Sequence, residues 1–122
     1  MPGMKTLCTL VAAVTVAILA TTATAAQAAT KLTGTVGPGF TISLKANGKA
    51  VKTLKAGTYT LVVNDKADIH NFVLEGPGVE RDVTTVPFVG TKTVTVKLRK
   101  GGKYKFYCRP HESSMFGFVT VS

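Results

Sequence analysis

The sequence predicts an all-β fold, a sandwich or barrel of short strands. Three observations lead to this prediction. From Thr30 onward, apolar and polar residues alternate with a period of two, as they do between Phe40 and Lys45. Residues that favour turns separate these runs at short intervals. After Thr30, no stretch has the 3.6-residue apolar period of a long amphipathic helix.

The predicted strands are short segments rich in β-branched and aromatic residues. They cover residues 40–44, 58–63, 69–74, 94–98, 104–107 and 116–121. The turn signals between them are Gly37-Pro38-Gly39, Asn47-Gly48, Ala56-Gly57, Asn64-Asp65, Gly76-Pro77-Gly78 and Gly101-Gly102. Residues 79–90 are the only segment with room for a helix, which would be short. Tyr104 is either a corner tyrosine, with its hydroxyl bonded to nearby backbone, or an ordinary half-exposed strand residue.

The segment before the strands, residues 1–28, is predicted to be a secretory signal peptide. Lys5 supplies a positive start, residues 7–20 are apolar and uncharged, and small residues follow. Cleavage after Ala28 is favoured over cleavage after Ala25. The mature protein is then one compact domain, residues 29–122.

A retained anchor is the alternative interpretation of this segment. An uncharged run of about 14 residues is short of the roughly 20 that cross a bilayer. A lipid anchor is disfavoured because Cys8 lies at the start of the apolar run. We therefore expect an exported, periplasmic or extracellular protein with no membrane span in its mature form.

The chain is basic, with 15 Lys and Arg residues against 6 Asp and Glu residues and a formal net charge of +9. Only Lys5 among these charges lies in the leader. The remaining lysines are spread along strands and turns, without the basic block and interleaved aromatics typical of nucleic-acid binding. We predict a monomer that binds no nucleic acid and whose surface charge steers an acidic protein partner.

Cysteine usage gives the first indication of chemistry. Once Cys8 leaves with the leader, Cys108 is the only thiol, so the mature domain has no internal disulfide. A lone thiol in an oxidising compartment is either buried and inert or occupied by a metal.

Cys108 begins a short segment that holds three kinds of metal-binding side chain. His111 and Met115 follow it with the spacing Cys-x2-His-x3-Met, in the loop between the last two predicted strands. His70, the other histidine of the chain, lies 38 residues upstream, where the strand at 69–74 begins. A Greek-key sandwich can bring a strand start and a loop together at one end.

This set of donor atoms favours copper. Two imidazoles and a thiolate with a weak axial thioether suit both Cu(I) and Cu(II). Zinc also accepts His and Cys, but catalytic zinc needs an open position, which Met115 is placed to fill. Taken singly, His70 could be structural, Cys108 a buried thiol and Met115 core packing. Their combination in one pattern predicts a site for one copper ion.

The same residues resemble a known family. Residues 104–111 (YKFYCRPH) and 115–121 (MFGFVTV) resemble the carboxyl-terminal signature of plastocyanins and related cupredoxins, and residues 68–72 (DIHNF) resemble their upstream histidine segment. The similarity is close over the second half of the mature domain and extends to the first half only in strand pattern and length. One departure is that three residues separate His111 from Met115, where plastocyanins usually have four.

The resemblance implies a Greek-key β-sandwich of about eight strands with one type 1 (blue) copper at one end. It implies that Asn71 donates its backbone N–H to the Cys108 sulfur and ties the two loops together. It also implies three equatorial ligands and one axial ligand, in the order His70, Cys108, His111 and Met115.

The function implied by the resemblance is one-electron transfer between redox partners. The exposed edge of His111 would be the electron port. An apolar rim around it would dock the partners, and its candidates are Gly37, Pro38, Gly39 and Phe40, with Pro77 and Pro87-Phe88 as weaker ones.

Two other functional classes remain to be weighed. A copper carrier or storage protein would use the same ligands, but metal exchange favours methionine-rich or histidine-rich sites, and Met115 is the only mature methionine. An enzyme is not expected, because both histidines are committed and none remains for a second copper centre or a Ser-His-Asp set. A metal-free adhesion or structural sandwich is the remaining alternative.

Overall fold

The computed structural model describes residues 3–4, 10–21 and 29–122. Residues 10–21 contain no helix or strand, and their large apolar side chains are exposed. Across the described ranges, no helix is long and apolar enough to cross a membrane. The predicted cleavage positions after Ala25 and Ala28 lie outside the described residues.

In the described part of the chain, ten strands and one 3-10 helix of three residues follow one another. They are β1 (Thr30–Val36), β2 (Ile42–Ala46), β3 (Lys49–Ala50), β4 (Thr53–Leu54), β5 (Gly57–Asp65), β6 (Val73–Gly76), β7 (Val79–Asp82), β8 (Gly90–Leu98), β9 (Lys103–Tyr107), the 3-10 helix (Arg109–His111) and β10 (Phe116–Val121). Eight strands have four or more residues, while β3 and β4 have two each. The prediction of an all-β fold with about eight strands is confirmed.

The strands form two five-stranded sheets, in the orders β3-β2-β1-β5-β8 and β4-β10-β9-β6-β7. Most neighbours are antiparallel, but β1 pairs in parallel with β5 and β10 in parallel with β4. The chain changes sheets on entering and leaving β4, and again between β5 and β6, between β7 and β8 and between β8 and β9. This non-sequential order is that of a β-sandwich rather than a meander.

The core lies between the two sheets and follows the alternation of the strands. In β5, Tyr59, Leu61 and Val63 point inward and are buried, and their neighbours are exposed or only partly buried. Burial of a side chain of this size contributes roughly 1.5–3 kcal/mol relative to exposure. The opposite sheet contributes the stacked rings of Phe72 and Phe106, with centroids 6.1 Å apart.

Three loops meet at one end of this sandwich. Val36 pairs with Asp65 in the parallel β1–β5 ladder, so both strands leave the first sheet at the same end. The loops that follow these two strands carry Phe40 and His70. The loop after β9 carries His111, whose ring centroid lies 4.9 Å from that of Phe40 and 5.0 Å from that of His70.

Two local predictions are corrected by the structure. Residues 79–90 hold no helix: the segment starts with β7, which pairs antiparallel with β6, and continues in turns. The strand predicted from residue 69 begins only at Val73, so His70 lies in the preceding loop. In contrast, Tyr104 is a corner tyrosine, whose hydroxyl donates to the Pro77 carbonyl at 2.7 Å and accepts from the Arg99 N–H at 2.8 Å.

Candidate metal centre

His70 is held rigidly in the loop between β5 and β6. The residue is 0 % exposed, and its Cδ2 lies 3.1 Å from the position that a Cβ on Gly37 would occupy. A larger residue at position 37 would therefore press on the ring. Gly37 also has a φ of +73°, which glycine adopts without steric cost. Within the described residues, His70 Nε2 is buried without a hydrogen-bond partner, while Nδ1 faces His111.

The Cys108 loop is built from two consecutive turns. The His111 N–H donates to the Cys108 carbonyl at 3.1 Å, and the Met115 N–H donates to the His111 carbonyl at 2.8 Å. The Cys108 N–H closes the loop by donating to the Met115 carbonyl at 3.0 Å. The three-residue spacing between His111 and Met115 thus forms one closed turn. Pro110 fixes φ in the preceding turn, between Cys108 and His111.

The three strongest donor atoms converge on one point. His70 Nδ1 and His111 Nδ1 are 3.2 Å apart, and the Cys108 Sγ lies 3.7 Å and 3.6 Å from them. A circle through three atoms at these separations has a radius of about 2 Å, which is close to a metal–nitrogen bond of about 2.0 Å and a metal–sulfur bond of about 2.3 Å. Within the described residues, this is the group of three or more His, Cys, Asp or Glu side chains placed to hold a metal ion. The donor set and its spacing fit copper.

Burial differs across the site. His70, Cys108 and Met115 are buried, while His111 is only partly buried and reaches the surface. Phe40 is 61 % exposed, and its ring packs edge-on against both imidazoles, at 5.2 Å from His70 and 4.9 Å from His111. The donors on the inner side of the site are thus buried, while the His111 ring and Phe40 reach the surface.

The two ligand-bearing loops are linked by a side chain. Asn71 is 2 % exposed, and its Oδ1 accepts the Arg109 backbone N–H at 2.8 Å. Its Nδ2 donates to Asp82 at 3.3 Å, and the Arg109 guanidinium forms an ion pair with the same carboxylate. Hydrogen bonding to Asp82 and its charge raise the pKa of Arg109. The link between the loops predicted for Asn71 therefore runs through its side chain; the backbone bond to the Cys108 sulfur stays a prediction.

Two carboxylates near the site were not predicted from the sequence to lie there. Asp82 lies on β7, in the segment whose strand was missed. Asp65 ends β5 and is 2 % exposed, with one oxygen accepting from the Ala67 N–H at 3.3 Å and the other without a partner among the described residues. Burial raises the pKa of Asp65, against the opposing effects of Thr84, Ala67 and His70. Only the pairing of distant strands could have indicated where these carboxylates lie.

Comparisons with known proteins agree with this geometry. The family described as "Copper binding proteins, plastocyanin/azurin family" matches residues 41–122. Amicyanin-alpha of Methylorubrum extorquens is 37 % identical over 59 residues, which is 48 % of this chain. The aligned part spans about half the length of that relative, 50 %.

Solved structures share the fold at low identity. Auracyanin A, a "blue" copper protein of the green thermophilic photosynthetic bacterium Chloroflexus aurantiacus, has a TM-score of 0.52 and 18 % identity, covering 78 % of this chain and 100 % of that chain. The copper protein rusticyanin has a TM-score of 0.53 and 19 % identity, covering 75 % of this chain and 76 % of that chain. Because the family match extends over most of the described domain and includes all the converging donors, this chain belongs to the plastocyanin/azurin family of copper-binding proteins, with copper as its cofactor.

Proposed function

We propose that the protein is a type 1 blue copper protein that carries single electrons between redox partners. The observation that carries the proposal is the convergence of one buried thiol and two imidazole nitrogens within 4.8 Å of one another. In this proposal the equatorial ligands are His70, Cys108 and His111, and Met115 is the axial ligand. Bound copper supplies the one-electron Cu(II)/Cu(I) couple.

The protein's own contribution is to hold the donor atoms still. The two hydrogen-bonded turns from Cys108 to Met115 fix the loop, and His70 is packed against Gly37 and Phe40. Donor atoms that keep their positions in both oxidation states impose little rearrangement on electron transfer. Exclusion of water from the inner side further limits reorganisation of the surroundings.

The His111 ring is the proposed electron port. It is the ligand that reaches the surface, and exposed Phe40 lies beside it. Pro38 and Gly39, next to Phe40, are exposed and continue this apolar rim. Pro77 does not belong to it, because its carbonyl binds Tyr104 near the β8–β9 turn, at the other end of the sandwich.

The proposed partner is a redox protein with an acidic docking surface. The formal net charge of +9, of which Lys5 in residues 1–28 supplies one positive charge, supports this choice, since opposite charges accelerate encounter. We further propose export and removal of residues 1–28, followed by action of residues 29–122 as a monomer. The exposed apolar side chains of residues 10–21, which pack on nothing in the described domain, support removal of the leader.

A copper carrier or storage protein is the competing function, and it would use the same four ligands. Transfer of the ion itself requires access to the donors. His70 and Cys108 are both 0 % exposed, which favours retention of the metal over exchange. An enzymatic role has less support, because the chain has two histidines and both face this site.

An optical and electrochemical experiment tests the proposal. The mature protein, loaded with Cu(II), should show an intense blue thiolate-to-copper band and a reversible one-electron wave in voltammetry. Copper should then be lost slowly to a chelator. A colourless complex would contradict the type 1 site, and rapid loss of copper to the chelator would favour the carrier or storage function.

A further inference from the structure

We propose that Asp82 is a positioning residue of the metal centre, which locks the Cys108 loop to the His70 loop through Asn71 and Arg109. This inference rests on the proposed function, in which both loops supply copper ligands. Asp82 itself lies on β7, outside both loops, and is paired with Val73 of β6.

The three side chains form a closed arrangement. Asp82 Oδ1 accepts from Arg109 Nη2 at 2.6 Å, and Oδ2 accepts from Arg109 Nε at 3.2 Å. Oδ2 also accepts from Asn71 Nδ2 at 3.3 Å, while Asn71 Oδ1 accepts the Arg109 backbone N–H at 2.8 Å. Each of these four contacts joins a donor to an acceptor.

Asp82 determines which way the Asn71 amide points. The amide is nearly symmetric in shape, so a half-turn would exchange its oxygen and nitrogen. Because the Asp82 carboxylate only accepts hydrogen bonds, it holds Nδ2 on its side and leaves Oδ1 facing the Arg109 N–H. Asn71 is buried, so a flipped amide would leave polar groups unpaired.

The consequence reaches the ligands through the backbone. Asn71 adjoins His70, and Arg109 adjoins Cys108, so the bond between them spans the two ligand-bearing loops. An isolated surface ion pair contributes little, and the side chains of Arg109 and Asp82 are 48 % and 42 % exposed. The role inferred for Asp82 therefore comes from the bidentate geometry and the shared amide, and not from charge attraction alone.

The test compares Asp82→Asn with Glu80→Gln. Both variants replace an acid by its amide on the same exposed strand, but Glu80 makes none of the described contacts and lies only close enough to add a minor charge effect on Arg109. The Asp82→Asn amide has one acceptor oxygen, whereas the carboxylate accepts hydrogen bonds from three donor groups, Arg109 Nη2, Arg109 Nε and Asn71 Nδ2. Arg109→Lys is a second variant, because it removes the planar fork while keeping the charge.

The first readout is amide hydrogen exchange of the Arg109 N–H in metal-free protein. Asp82→Asn and Arg109→Lys should accelerate this exchange by about tenfold or more, as expected for loss of a charge-assisted hydrogen-bond network, while Glu80→Gln stays near wild type. Equal exchange in Asp82→Asn and Glu80→Gln would overturn the inference. Because this readout needs no copper, its failure is distinct from failure of the proposed function.

The second readout uses the Cu(II)-loaded proteins. Asp82→Asn should broaden the spread of copper environments in the electron paramagnetic resonance spectrum and speed copper loss to a chelator severalfold, whereas Glu80→Gln should do neither. Identical spectra and loss rates in the two variants would show that Asp82 does not position the site. A wild-type protein without the blue band would instead contradict the proposed function and leave the exchange result standing.

Discussion

The backbone N–H of Cys108 donates to the carbonyl of Met115 at 3.0 Å, so the two ends of the eight-residue ligand loop are bonded to each other. Met115 is 1 % exposed and Cys108 0 % exposed, and both side chains lie in the core cluster at this end of the sandwich. This closure fixes the two ends of the loop, which adjoin the last residue of β9 and the first residue of β10. The ligands, the charged surface and the buried residues around them lead to five testable expectations.

Cys108→Ser should abolish the intense visible band of the Cu(II)-loaded protein and leave the sandwich folded. A hydroxyl of similar size fits the buried position, at a cost of about 1–3 kcal/mol for burying a more polar group. Absorption spectra test the first part, and circular dichroism with urea unfolding of metal-free protein tests the second. A variant that keeps the band would exclude Cys108 as the thiolate ligand.

Met115→Leu should keep the blue colour and raise the reduction potential. The two side chains have similar volume, and loss of the thioether donor disfavours Cu(II) more than Cu(I). Each tenfold change in the relative affinity for the two oxidation states corresponds to about 59 mV for one electron. Cyclic voltammetry that shows no shift would mean that the Met115 sulfur does not contact the metal.

Lys66→Glu should slow electron transfer to an anionic acceptor. Lys66 is exposed in the loop that carries His70, and it forms none of the salt bridges found in the described part of the chain. Ferricyanide, a trianion, is the probe, and stopped-flow rates should fall severalfold at low salt. Arg109 is a poorer choice for this test because Asp82 neutralises its charge.

The matched control for Lys66 is Lys100→Glu. Lys100 is exposed in the turn before β9, at the far end of the sandwich. The five residues of β9, which span roughly 17 Å, separate this turn from the Cys108 loop. Lys100→Glu should therefore slow electron transfer to ferricyanide less than Lys66→Glu does.

Wild-type rates with ferricyanide should also fall as salt rises, since the Debye length shrinks from about 10 Å at 0.1 M to about 3 Å at 1 M. Rates that are flat or rising with salt would argue against an acidic docking partner.

Asp65→Asn should stabilise metal-free protein at neutral pH. Burial raises the pKa of Asp65 above its ordinary 3.8, so the folded chain binds this proton more tightly than the unfolded chain. The contribution of Asp65 to the free energy of unfolding therefore falls as pH rises from 3.8 through the raised folded pKa. Asparagine does not ionise, so the variant avoids this loss.

Urea unfolding across about pH 3 to 7 measures this difference, with Asp68→Asn as control. Asp68 lies in the loop that directly follows Asp65, but its side chain is exposed. The free energies of unfolding of wild type and Asp65→Asn should differ least at the acid end and most at neutral pH. A difference of the opposite sign would mean that folding stabilises the charged form of Asp65, and a difference that does not depend on pH would mean that folding does not shift its pKa.

Gly34→Ala should destabilise the fold by about 1–3 kcal/mol, since a Cβ at this position overpacks the core. That Cβ would lie 2.7 Å from Cε2 of Phe72, a ring that is fully buried. Gly39→Ala is the control, because nothing lies within 4 Å of its Cβ position and its φ is not positive. Urea unfolding of metal-free protein compares the two, and equal stability would show that the Phe72 ring can move aside.

Local pattern predicted much of the fold and the types of ligand. The strands β5, β9 and β10 were predictable because their segments are rich in β-branched and aromatic residues, which favour half-buried positions in a sheet. The cluster of Cys108, His111 and Met115 was readable because these residues share one loop, whose short turns bring backbone and side chains together without help from distant residues.

Short strands whose residues are mostly exposed could not be predicted from local pattern. In β7, three of the four residues are exposed, so the sequence shows no alternation there. The local pattern therefore predicts no strand and leaves room for a short helix in residues 79–90. Its register against β6 arises from tertiary pairing alone. Asp82 was missed for this reason, although it contacts both residues that link the ligand loops.

The sequence by itself therefore determined the strand-rich fold class, the donor chemistry and the placement of Cys108, His111 and Met115 in one short loop, since each depends on residues close together in the chain. Only the tertiary structure decided that His70 Nδ1 lies 3.7 Å from the Cys108 sulfur, that Phe40 covers both histidines, and that Asp82 joins their loops. The physical reason is that these contacts depend on which strands pair and in what register. That pairing is selected by burial of the whole core, and no local period in the sequence records it.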